Sequence, residues 1–137
     1  MAAWLRFLIA FAVGCHGFTY VMYGYMIDGK IKAIKEWKGT SWILGSTIQT
    51  ERLKKITFGL HVAAGILVML CALAIALNPL APGWWRPFAI GGAIVGIVGF
   101  VIYWDGQTKF LVEEGLIGAS ISLCLLVAAI VFAGAFN

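Results

Sequence analysis

Four stretches of this 137-residue chain carry no Asp, Glu, Lys or Arg: residues 7–27, 56–85, 87–104 and 115–137. At about 1.5 Å per helical residue, each reaches across a hydrocarbon core of roughly 30 Å. Hydrocarbon offers the backbone no hydrogen-bond partners, so such a run must satisfy its own N–H and C=O groups, which a helix does. The pattern predicts an all-α membrane protein, an antiparallel four-helix transmembrane bundle with spans near 3–27, 56–78, 85–104 and 110–136. With 62% hydrophobic and 12% charged residues, the spans and loops consume nearly the whole chain. One membrane domain over 1–137 is the expectation, with no room for a soluble catalytic domain.

The ten basic residues are sorted by side. Lys30, Lys32, Lys35, Lys38, Arg52, Lys54 and Lys55 sit between the first two spans, and Lys109 falls on the same face after the third. Arg6 and Arg86 lie opposite. This is a positive-inside bias: it predicts a plasma-membrane protein with both termini outside and the loop 28–55 in the cytoplasm. The net charge of +4 is therefore a membrane signal, and nucleic acid is not an expected partner. No A-x-A cleavage site follows the first span, so that span is expected to be retained.

Within the long loop, Ile31, Ile34 and Trp37 recur at spacings of three among Lys30, Lys32, Lys35 and Lys38. That spacing predicts a short amphipathic helix on the membrane surface, its lysines toward anionic headgroups. Trp42-Ile43-Leu44 is expected to dip into the interface. Trp84-Trp85 and Tyr103-Trp104 read as an aromatic belt at the two ends of the third span. Thr108 is the expected cap of the fourth helix, with Glu113 and Glu114 in its first turns. Cys15, Cys71 and Cys124 lack C-x-x-C spacing and read as small buried hydrophobes.

Gly92, Gly96 and Gly99 line one side of the third span, and Gly92-x-x-x-Gly96 is the spacing that lets two helix backbones approach closely. They predict a helix-packing interface, either within the bundle, with Gly115 and Gly118 as the facing surface, or against another membrane subunit.

Both histidines are in membrane spans. His16, Tyr20 and Tyr23 share one helical stripe, and Thr57 and His61 form a second. Polar groups at membrane depth are costly unless they face the bundle interior and find partners. These five residues are the candidate ligand-binding set, around a small polar interior. Two cofactor chemistries suit them besides plain structural bonding: a quinone, whose carbonyls accept from His or Tyr, and a haem b with His16 and His61 on its iron. There is no H-E-x-x-H, no phosphate-binding glycine loop and no nucleophile–base pair, so no catalytic residue is assigned and activity by the chain alone is not expected. A pump would carry a mid-membrane carboxylate, and the four spans have none.

Leu5-Arg6-Phe7-Leu8 and Val13-Gly14-Cys15-His16-Gly17-Phe18 resemble the opening helix of DoxX-like membrane proteins, with an Arg near the start and a His-Gly pair farther on. Gln107-Thr108-Lys109 and Glu114-Gly115-Leu116-Ile117-Gly118-Ala119 are similar to that family's last helix. The cationic residue often found soon after the His-Gly pair is absent here, where Thr19, Tyr20 and Tyr23 stand. The resemblance implies a four-helix fold and an accessory role beside a quinone-linked redox partner, since one branch of the family is a subunit of a thiosulfate:quinone oxidoreductase.

Overall fold

A computed structural model of the chain describes residues 2–30, 40–45, 47–77, 80, 82–108 and 115–132. Among the described residues there are four helices and no strand: α1 (Ala3–Ile27), α2 (Thr50–Ala76), α3 (Trp85–Tyr103) and α4 (Leu116–Val131). The first three are each long and apolar enough to cross a membrane, and α4 is a shorter apolar helix. The expected interfacial helix at 30–38 falls almost wholly on residues outside the described set, as do Glu113 and Glu114.

The helices run antiparallel in chain order. Gly17 faces Gly65 and Met69, whereas Gly24, two turns later, faces Val62 and Phe58. Gly92 meets Leu67 and Val68, and Gly99 meets Leu60 and His61, so α3 runs back along α2. At one end the Arg86 Nε donates to the Ala129 carbonyl at 3.0 Å, and at the other Gly115 approaches Phe100, which sets α4 against α3. A cation suits the exposed carbonyls of a helix C-terminus.

Local chemistry explains the ends. Asp28, Gly29 and Lys30 close α1 with the paired bonds Gly29 N–H to Met26 O and Lys30 N–H to Tyr25 O, and Gly29 takes the left-handed backbone (φ +74°) this cap requires. Lys30 then folds back 2.8 Å from Asp28 and over the rings of Tyr25 and Phe58. The hydrogen bond to Asp28, with its charge second, holds the Lys30 pKa above its ordinary value. Pro87 sits in the first turn of α3, where no N–H is needed.

Three expectations are corrected here. The fourth helix begins at Leu116 rather than near 110, because Gly115 stands before it at φ +105°, outside helical backbone space, and Thr108 is not its cap. The aromatic belt is split: Trp84 is 62% exposed but Trp85 is 1% exposed, packed with Ala10, Cys71, Ala74, Ile75, Ala89 and Ala129 from all four helices. Trp85 is thus the plug of one end of the bundle rather than an interfacial anchor. Of the cysteines only Cys71 is buried, while Cys15 and Cys124 are exposed on α1 and α4. At the opposite end, Trp42 docks on Trp104, its N–H donating to the Trp104 carbonyl at 3.0 Å with ring centroids 5.2 Å apart.

Candidate functional site

The α1 stripe forms as its spacing requires. His16 and Tyr20 are both buried, one helical turn apart, with ring centroids 5.0 Å apart. Helices α1 and α2 come close enough to trap them because both lack side chains at the crossing. A Cβ on Gly65 would lie 2.7 Å from the Gly17 carbonyl oxygen, and one on Gly17 would lie 2.9 Å from the Gly65 carbonyl oxygen. The small residues beside the histidines therefore serve helix approach.

The glycines of α3 make the next wall, and they pack inward on α2 and α1. A Cβ at Gly96 would overlap the Tyr20 hydroxyl, one at Gly99 would lie 3.3 Å from the His61 ring, and one at Gly92 would lie 2.8 Å from Val68. The close-packing face predicted at Gly92, Gly96 and Gly99 exists within the bundle. Its facing surface is α2 and Tyr20 rather than Gly115 and Gly118; Gly118 instead stands beside His16.

From α4 comes the residue that sequence reasoning missed. Ser122 is completely buried, and its Oγ lies 3.1 Å from His16 Nε2 and 2.8 Å from the Tyr20 hydroxyl. His16, Ser122 and Tyr20 thus form one hydrogen-bonded row across α1 and α4. Ser122 does not itself line the cavity; its hydroxyl, with one hydrogen and two lone pairs, orients His16 and Tyr20, which do.

His61 occupies a different level. Its Nδ1–H donates to the Thr57 carbonyl at 2.9 Å, and a carbonyl only accepts, so this nitrogen carries the proton. The ring packs against Tyr20, Tyr23 and Tyr103 at centroid distances of 5.9, 6.4 and 5.8 Å. Thr57, placed in the candidate set, turns its hydroxyl back onto the Leu53 carbonyl at 2.9 Å and does not line the cavity. Its contribution to the site is the carbonyl that orients His61.

The antiparallel pairing of α1 and α2 sets His61 beside Tyr23, seven residues past His16, or ~10 Å along the helix axis. A haem iron held by this pair would have to take the His16 Nε2 that is bonded to Ser122, and the Tyr20 ring stands between the two imidazoles, 5.0 Å from one and 5.9 Å from the other. Among the described residues no group of three or more His, Cys, Asp or Glu is arranged to hold a metal ion.

Around the polar row lies a cavity of about 430 Å³, within the usual size of a small-molecule site. Its polar lining is His16, Tyr20, Tyr23, His61 and Thr19, and its apolar lining includes Ala12, Phe100, Ile117, Gly118 and Ile121. Four of the five predicted site residues meet there. Comparison with family models, curated proteins and solved structures finds no match for this chain.

Proposed function

We propose that this chain is an integral membrane protein, similar to the DoxX-like proteins, that binds a quinone-class ligand and serves a quinone-linked redox partner as an accessory component. The observation that carries the reading is the cavity itself. It joins an apolar wall to a short polar row, which is what a flat ring bearing carbonyls requires. Tyr20 and His16 supply polar groups to a carbonyl acceptor, Gly96 makes space for the Tyr20 phenol, and Gly118 on the cavity wall leaves room beside His16. The reading assigns no catalytic residue, so electrons would pass to and from the ligand on a partner protein. The orientation that accompanies it has both termini outside and the basic segment 28–55 in the cytoplasm, in keeping with the charge asymmetry.

Thermal unfolding of the purified protein in nanodiscs with decylubiquinone tests this directly. Binding at about 100 times Kd raises stability by about 2.7 kcal/mol, which is a shift of several degrees. Ser122→Ala and Tyr20→Phe each remove one hydrogen-bonding group from the row and weaken binding about tenfold. No shift in the wild-type protein at saturating quinone would refute the assignment.

A further inference from the structure

The quinone-class reading leaves open how a ligand reaches a cavity in mid-bilayer. One end of the bundle is filled by Trp85 and its cluster, to which α1 contributes Ala10 and α4 contributes Ala129. Beneath the cavity, Tyr23, His61 and Tyr103 form a layer of rings drawn from α1, α2 and α3. The α1–α2 and α2–α3 seams are closed by the backbone contacts at Gly17, Gly65 and Gly92.

The α1–α4 seam is different. These two helices touch far less than any sequential pair, and the cavity lining on that side consists of Cys15 and Thr19 on α1 and Ile117 and Ile121 on α4. All four are exposed, although they line the same space as buried His16 and Tyr20. Cys15 is the central residue of α1, ~18 Å from either end of the helix. The mouth therefore opens onto the hydrocarbon core.

We infer that the ligand enters and leaves sideways between α1 and α4, and that it is a chain-bearing amphiphile. Its head sits against His16 and Tyr20, which Ser122 holds in place from behind, and its chain remains in the lipid outside Cys15 and Ile121. This inference rests on the quinone-class reading for the head and adds the chain and the route. A tail-free head gains nothing from the lipid phase.

Association and dissociation of decylubiquinone, measured in nanodiscs, test the route. Ile121→Trp places an indole in the mouth, and Leu123→Trp places one on the exposed face of α4 away from it. Ile121→Trp is expected to slow association and dissociation together by tenfold or more with Kd changed less than about twofold, while Leu123→Trp leaves both rates alone. Cys15→Phe repeats the test from α1 in case the tryptophan variant fails to fold. Tail-free 2,3-dimethoxy-5-methyl-1,4-benzoquinone is expected to bind the wild-type protein at least tenfold more weakly than decylubiquinone. Unchanged rates in both mouth variants, or equal affinity for the tail-free head, would overturn the lateral route and leave the quinone reading standing. Failure of decylubiquinone to bind the wild-type protein would overturn both.

Discussion

The hydroxyl of Ser122 links two side chains that lie 106 and 102 residues away in sequence. Removing it leaves His16 Nε2 short of a partner in a buried site and Tyr20 with only the longer bond to the Gly118 carbonyl at 3.5 Å, which costs about 1–3 kcal/mol. Ser122→Ala should lower the melting temperature measurably, and Ser122→Thr, which restores a hydroxyl, should recover part of the loss. Thr57 gives the contrast. Its hydroxyl donates to the Leu53 carbonyl one turn back in its own helix, and Thr57→Val keeps its shape. That variant is expected to lose no more than ~1.5 kcal/mol in thermal unfolding and to bind ligand as the wild type does. The α1 stripe was legible because a helix repeats every three to four residues, so His16, Tyr20 and Tyr23 had to share a side. Ser122 was not legible: α4 also carries Ser120 one turn-half away, exposed, and nothing local says which serine faces inward. Thr57 was misread as a ligand contact because polarity on a stripe does not reveal whether a hydroxyl points into the lumen or back to its own helix.

Glycine positions decide how the elements meet. Gly65 touches backbone across the α1–α2 crossing, whereas Gly59 on the same helix has open space around it. Gly65→Ala is therefore expected to destabilise the bundle by about 1–3 kcal/mol, while Gly59→Ala should be neutral or slightly stabilising. Thermal unfolding of the two variants side by side checks this. Gly96→Ala has a more specific consequence, because the new methyl meets the end of the Tyr20 side chain. It should displace the phenol from Ser122, so ligand affinity falls more than stability does. The close-packing face of α3 was readable from spacing, but the glycines at the α1–α2 crossing form no GxxxG pattern in either helix and had to be found in the fold. Helix starts were read less well. Charge placed the fourth span near 110, but the left-handed Gly115 halts helical backbone there. Tryptophan at a span mouth suggested an interfacial anchor, whereas Trp85 turns inward because small residues on the other helices leave it a pocket.

For the molecule as a whole, charge-free length was the strongest signal, and it produced the four-helix order directly. Three helices long and apolar enough to cross a membrane imply retention in the membrane fraction after alkaline carbonate extraction. The basic asymmetry makes a separate claim about orientation: a cysteine introduced at Lys54, with the native cysteines replaced, should react with a membrane-impermeant maleimide only after the cells are opened. Reaction in intact cells would reverse the assigned topology. The role of the cavity is the central claim, and photoaffinity labelling with a chain-bearing azidoquinone, followed by peptide mapping, tests it most directly. The account predicts labels on α1 between Ala12 and Tyr23 and on α4 between Gly115 and Ser122, suppressed by excess decylubiquinone. Labelling confined to the outward faces of the helices, or unaffected by the competitor, would contradict it.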